Sequence, residues 1–291
     1  MNTPDIDMAR LADWIGHSES RQDAITAAPV ASLSATLGRD DPAPVVDGAL
    51  PPLWHWLYFL PQASRRDIGA DGHPKLGGFL PPVPLPRRMW AGSQLQFHQP
   101  LRIGETVTRV SRIADVKVRA GRSGTLVFVK VAHELSGAKG LAITDVHDIV
   151  YRAAAVPGAA TAAPTQAPAG AAWVRDIAPD EVLLFRYSAL TFNSHRIHYD
   201  RPYATQIEGY AGLVVHGPLI ATLLLDHLRD RLAEQRSNAV IRNFEFRALH
   251  PVLHIDRFAV CADPQADGGT VRLWAHNAAG ALCMDATAAI A

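Results

Sequence analysis

The sequence predicts an α+β fold: two antiparallel meanders in one chain, with a long buried helix in the second only. Three features predict it. Two sets of Val-, Ile- and Thr-rich runs recur in similar order, a leucine-rich helical segment precedes the second set, and a stretch poor in bulky apolar residues separates them.

Near the N-terminus, Pro4–Ile15 and Asp23–Leu37 read as helices, with Pro29 opening a fresh turn and Val30, Leu33 and Leu37 facing inward. The aromatic run Trp54–Phe59 reads as a buried strand. Pro81, Pro82, Pro84 and Pro86 then fall within six positions. Proline removes a backbone donor and clashes with the preceding turn, so no long helix is expected here. An N-terminal sheet without its helix would keep a trough. The first meander comprises Leu95–Phe97, Glu105–Val118, Gly124–Leu135 and Ala142–Ala153, with a turn at Ala120-Gly121-Arg122.

The stretch Ala153–Ala172 is rich in Ala, Pro and Gly and lacks core-building side chains, so it reads as a linker. The expected organisation is an N-terminal unit at 1–153, a linker at 154–172 and a C-terminal unit at 173–291. In the last unit, Leu219, Ile220, Leu223, Leu224, Leu225, Leu228 and Leu232 surround most of a helix spanning Pro218–Glu234, which should therefore be enclosed by protein. Gly217 and Pro218 suit its start. The second meander repeats the first: Phe244–Phe246, His254–Ala262, Thr270–Asn277 and Ala281–Ile290. A helix wrapped by an antiparallel sheet, twice over, is a double hot-dog, here with its N-terminal unit degenerate.

Hydrophobic residues make up 48 % of 291, enough for a sizeable core. Lys plus Arg and Asp plus Glu balance at 28 each, so no basic surface points to nucleic acid. No apolar run reaches the roughly 18 residues of a membrane helix. Asp5, Asp7 and Asp13 replace the basic start of a signal peptide, and Cys261 and Cys283 form no metal or disulfide pattern. A cytoplasmic protein is expected.

The densest polar segment is Tyr187–Asp200, followed by His216-Gly217-Pro218. Asn193, Ser194, His195, His198 and Asp200 crowd into eight residues just before the buried helix. Unpaired polar groups are expensive in a core, so this segment reads as a pocket. His195-x-x-His198 with Asp200 could also be read as a metal site, but an irregular loop gives that spacing no common face, and no metal is expected. His55, His98, His133, His147, His250, His254 and His276 sit singly in strand-like runs and read as structural.

On these residues the chain resembles the MaoC-like hydratase family, in its branch with an N-terminal fatty-acid-synthase-like dehydratase unit. Thr191 to Asp200 takes the first part of the family signature and Val214 to Gly217 the second, with Asn193 where the family usually has Asp. Pro51–Phe59, Gly77–Pro82 and Arg87–Trp90 extend the likeness over nearly the whole chain. Within the branch it is similar to mesaconyl-CoA- and itaconyl-CoA-type hydratases and to type 2 hydroxyacyl-thioester dehydratases.

The resemblance implies reversible syn addition of water to an α,β-unsaturated acyl-CoA or acyl carrier protein thioester, branched and dicarboxylic acyl groups included. His198 is the expected base, since an imidazole titrates near neutrality. Asn193 can hold the water but cannot accept its proton. Gly217, at the start of the buried helix, is the expected oxyanion donor, because unpaired N–H groups and the helix dipole favour negative charge there. Asp200, His216, Arg87 and Arg88 are the expected substrate contacts, with Glu208 or Asp200 able to stand in for the missing carboxylate. No cofactor is expected, and a homodimer is. Two other readings compete. A hot-dog thioesterase would need a carboxylate at the buried helix, where Asp226, Asp230 and Glu234 are the acids on offer. A non-catalytic acyl-thioester binding module would fit Asn193 but not the retained His198, Asp200 and His216-Gly217.

Overall fold

A computed structural model describes residues 6–121, 124–154 and 163–291. Its centre is one antiparallel sheet. The N-terminal strands are β1 (Ser18–Ala24), β2 (Arg87–Phe97), β3 (Thr106–Gly121), β4 (Gly124–Gly137) and β5 (Gly140–Arg152). The C-terminal strands are β6 (Trp173–Ile177), β7 (Ile241–Ala248), β8 (Phe258–Pro264), β9 (Thr270–Asn277) and β10 (Leu282–Ile290). Their order is β1-β3-β4-β5-β2-β7-β10-β9-β8-β6, so the two sets repeat one topology in mirror sequence about the β2–β7 seam. At that seam Leu95 lies opposite Phe244, so the strands matched by sequence pair with each other. Gly92 is required there: a Cβ would stand 2.4 Å from the Phe246 carbonyl oxygen.

Four α-helices among the described residues flank the sheet: α1 (Met8–Ala12), α2 (Ala27–Thr36), α3 (Glu181–Thr191) and α4 (Gly217–Glu234). The Pro4–Ile15 expectation shortens to α1, capped by Asp7; Pro4 lies outside the described residues. The Asp23–Leu37 expectation divides. Asp23 and Ala24 end β1, and the helix starts at Ala27 with Val30 and Leu33 buried as expected. Trp54–Leu57 is a 3-10 turn rather than a strand, with Leu53 before it at φ 69°. Trp54, Leu57, Tyr58 and Phe59 are buried in the main core. The linker expectation falls partly on 155–162, outside the described residues, as does Arg122 of the expected turn.

Every residue of α4 from Leu219 to Leu228 is buried. Fully burying a leucine stabilises by roughly 1.5–3 kcal/mol, so this helix anchors the C-terminal part of the sheet. Among the described residues no helix as long as α4 covers the equivalent β3–β5 surface; the short α1 packs there through Leu11, and residues 68–86 run through turns and the proline segment. A cavity of about 1150 Å³ lies there, walled by β3, β4 and β5 on one side and by α3 and the loop after it on the other.

Candidate active site

The loop after α3 carries the polar segment. Asp180 caps α3 by accepting from the Leu183 N–H (2.7 Å), and Phe192 ends it in a left-handed conformation at φ 50°. Asn193 then turns the chain, its Oδ1 accepting from the His195 N–H (3.0 Å). The loop is pinned from the N-terminal side: the Arg196 N–H donates to the Asp71 carbonyl (2.9 Å) and its guanidinium to the Ala70 carbonyl (3.0 Å). At Gly72, with φ 91°, a Cβ would lie 1.8 Å from the Ser194 carbonyl oxygen.

His198 is buried, 7 % exposed. Its Nδ1–H donates to the Val214 carbonyl (2.7 Å), which fixes the tautomer and leaves Nε2 with a lone pair and no hydrogen-bond partner among the described residues. Burial, together with the nearby His73, lowers its pKa to about 4 against the lift from Val214. The ring is therefore neutral near pH 7. It stacks on His216 at 3.7 Å between centroids. His216 Nε2 in turn bonds the Ser188 hydroxyl (2.8 Å), and burial holds that imidazole well below its ordinary value. His216 begins α4 without capping it by its side chain, so the helix starts with uncapped N–H groups. Ser188, Asn193 and Pro218 line the cavity.

The structure brings His198, His216 and Gly217 together and moves others away. Asp200, expected at the substrate, accepts from Arg196 Nη2 (2.7 Å) and from the Tyr203 N–H (3.1 Å), so both its oxygens hold the loop. Arg87 is committed to Glu208, Nε to Oε2 at 3.0 Å, which also removes Glu208 as a stand-in base. Arg88, its neighbour on β2, lines the cavity and has no ion-pair partner among the described residues. Adjacent residues of a strand face opposite sides, so only one of the two arginines could reach the cavity. His216 lies behind Ser188, fully buried, rather than at the cavity surface.

Two groups of residues were not anticipated. Asp71, His73 and His195 present donor atoms within 4.8 Å of one another and could hold a divalent cation. The 2.9 Å hydrogen bond from His73 to Asp71 already accounts for that closeness. Burial and the neighbouring histidines lower His195 to about 2. The second group brings together His55, His133 and His147, which the sequence presents singly. His55 and His147 reach the Asp145 carboxylate, and His133 is its register partner on β4, all at the cavity wall. They lie up to 92 residues apart along the chain and share no local motif, so only the strand register reveals them.

A hollow half-sheet beside a helix-filled one, with a histidine loop and an uncapped helix start at their junction, defines a double hot-dog of the MaoC type. Residues 53–254 match the type 2 hydroxyacyl-thioester dehydratases, and the chain belongs to that family. It is 46 % identical over 277 residues to the mesaconyl-C(4)-CoA hydratase of Chloroflexus aurantiacus, covering 94 % of this chain and 95 % of that protein. The fold is shared with a MaoC-like dehydratase from Phytophthora capsici, at a TM-score of 0.71, 14 % identity and 98 % coverage of each chain. It is also shared with a Mycobacterium tuberculosis protein described as a double hot-dog, at a TM-score of 0.56, 13 % identity and coverage of 95 % and 96 %.

Proposed function

We propose that the chain is a hydro-lyase that adds water reversibly across the α,β double bond of a short enoyl-CoA, a mesaconyl-CoA type of substrate being favoured by the 46 % identical relative. The observation that carries this reading is His198: a neutral imidazole with one nitrogen locked on Val214 and the other free. Water held over Cβ loses its proton to Nε2, and with syn addition the same nitrogen returns a proton to Cα. Asn193, whose Oδ1 is engaged by His195, has its side-chain NH₂ available to hold the water. The thioester oxygen, negative in the enolate-like intermediate, is stabilised by the N–H groups at the start of α4, Gly217 first. A Cβ on Gly217 would meet nothing closer than the Trp90 carbonyl oxygen at 3.9 Å, so this glycine matters for approach rather than for packing.

The thioesterase reading lacks its carboxylate. Asp226 is buried and faces Arg229 (3.2 Å) and Trp54 (3.3 Å), and Asp230 pairs with Arg39 and Arg175. We place the protein in the cytoplasm, in keeping with two buried free cysteines, and as a homodimer, supported by the outer strands β1 and β6 that end the sheet. No helix among the described residues is long and apolar enough to cross a membrane.

The test is the enone absorbance of mesaconyl-CoA and crotonyl-CoA with wild type and His198→Ala, alongside a thiol reagent. Loss of absorbance without free thiol, abolished in the variant, is expected. Release of CoA would make the protein a thioesterase instead.

A further inference from the structure

The cavity wall formed by β3, β4 and β5 carries polar groups that hydration at His198 does not use. Ser111, His133 and Asp145 lie opposite one another across the three strands. Asp145, 1 % exposed, accepts from Trp56 Nε1 (2.9 Å) and His147 Nε2 (2.8 Å) and faces His55 Nε2 at 3.3 Å. His133 bonds the Ser111 hydroxyl (2.8 Å), and its ring meets that of His147 edge-on at 4.4 Å. Arg109 lies over Phe59 on the same wall, with its nearest acid, Glu19, at 3.7 Å. Burial works to raise the Asp145 carboxyl, but His147 and His55 outweigh it and hold it well below the ordinary carboxylate range.

A sealed structural network would lie in packed core. This one borders a cavity, and it is incomplete: Asp145 Oδ1, His55 Nδ1 and Arg109 Nε are buried without a partner among the described residues. His147 is half complete in a directed way. Asp145 takes its Nε2–H, and Nδ1 is left without a protein partner on a ring that lines the cavity. An alkyl chain laid against the His147 ring and the Arg109 guanidinium would strand them, whereas an anion would give them an acceptor. Arg109 brings a guanidinium to this wall, with only Glu19, at 3.7 Å, close to it.

The wall is also close to the reaction centre. The Trp90 ring stands 4.0 Å from the His147 ring, and the Trp90 carbonyl oxygen is the nearest atom to the Cβ position of Gly217. One tryptophan therefore separates the wall from the start of α4, so a group reaching both belongs to a short acyl unit.

We propose that His147, oriented by Asp145 and supported by Arg109, recognises a carboxylate carried by the acyl group, making the N-terminal half of the sheet a specificity site for dicarboxylic thioesters. This rests on the hydratase reading and assigns its substrate class to named residues. Asp145 is a positioning residue, since it acts through His147.

The experiment compares wild type, His147→Ala and His147→Gln, the glutamine filling the space should the alanine variant not fold. The ratio of kcat/KM for mesaconyl-CoA to that for crotonyl-CoA, which has no carboxylate, is expected to fall roughly 10- to 100-fold in both variants, the range for a hydrogen bond to a charged group. The fall is expected in KM more than in kcat. Calorimetric binding of methylsuccinyl-CoA and butyryl-CoA, saturated and inert to hydration, gives the same comparison without turnover. Wild type is expected to prefer methylsuccinyl-CoA and both variants to lose that preference. Unchanged ratios, or equal losses on both members of each pair, would overturn the proposal. If wild type hydrates neither thioester yet keeps the binding preference through His147, the hydratase reading fails and the recognition site stands.

Discussion

The two halves of the sheet repeat one strand order and differ in what lies against them. Against β8 and β9 sits α4, closed all round from Leu219 to Leu228. Against β3, β4 and β5 lies a cavity of about 1150 Å³ bordered by tryptophan, histidine, arginine and aspartate. The polar groups of the filled half sit at the helix start, where His198 and His216 stack; those of the hollow half are spread along strands. One architecture thus holds a buried helix in one half and, next to it, an open cavity in the other, which is where the proposed chemistry and the proposed recognition part.

The largest effect expected is at the filled half's edge. His198→Ala should lower kcat by roughly 10²- to 10⁴-fold, the usual contribution of a positioned general base, with the fold intact by circular dichroism. The base works only unprotonated. Since burial lowers its pKa to about 4, activity on crotonyl-CoA, which has no carboxylate for His147, should fall only as pH drops through about 4 and stay flat above about pH 6, in kcat/KM profiles. A limb near 6.5 would show the imidazole to be solvated and the site open.

Next is the seam that carries the loop. Gly72→Ala places a Cβ 1.8 Å from the Ser194 carbonyl oxygen at a φ of 91°. The clash is with backbone, so the segment bearing Asn193 and His195 must shift. An ångström of misplacement can cost on the order of 10²-fold in rate. Steady-state assay should show a loss in kcat of that order, and a wild-type rate would break the idea that the N-terminal half positions this loop.

Packing separates the halves more gently. Leu224→Ala, in the enclosed helix, should cost about 2–5 kcal/mol in urea unfolding, because the lost contacts leave a cavity. Ile149→Ala faces space already empty and should cost about 1 kcal/mol, the transfer of its lost methylenes without a new void. Equal losses would mean that the hollow half is filled as tightly as the other.

These contrasts were unequally legible in the sequence. The leucines around α4 announced its burial, and the prolines at 81–86 announced the missing helix. The motif loop stood out because its polar residues are adjacent. β1 was missed because Ser18–Ala24 carries no apolar residue before Ala24; it is a strand only by pairing with β3. The Trp54–Leu57 turn was misread because aromatic composition suits a strand as well as a packed turn. Asp145 and its histidines were missed because His55, His133 and His147 become neighbours only through register and loop packing. Arg87 and Arg88 were paired as substrate contacts although strand alternation would have parted them.

Acid stability sharpens the comparison from both sides. His198, His216 and His133 are held neutral by burial in the fold. Above about pH 6.5 an unfolded histidine is neutral too, so their contribution to stability is complete. Below it the unfolded chain takes up protons that the fold resists, and stability declines until the folded values are reached, about 4 for His198, for which the loss is roughly 3 kcal/mol. Asp226 opposes this. Burial raises its carboxyl to about 6 despite Arg229 and Arg39, so its contribution is greatest below the ordinary carboxylate value and is lost as pH rises to about 6. The histidines held neutral by burial, His73, His195 and His227 among them, outnumber this aspartate and leave a net fall in Tm from pH 6.5 to 4.5.

The smallest effect expected isolates that aspartate. Asp226→Asn keeps an acceptor for Trp54 Nε1 and removes a charge whose burial its neighbours only partly offset. Arg39 retains Asp41 (2.7 Å) and Asp230, and Arg229 retains Asp41 (3.4 Å), so neither guanidinium is stranded. Replacing one member of a buried charge cluster by its neutral isostere is destabilising where it orphans a partner and close to neutral where it does not. Tm at pH 7 should therefore move by only about 2 °C, corresponding to less than about 1 kcal/mol. The fall below pH 6.5 should steepen, because the variant lacks the one group that gains on acidification. A large loss at pH 7 would instead make the Asp226 charge essential to docking α4 against the N-terminal segment that carries Arg39 and Trp54.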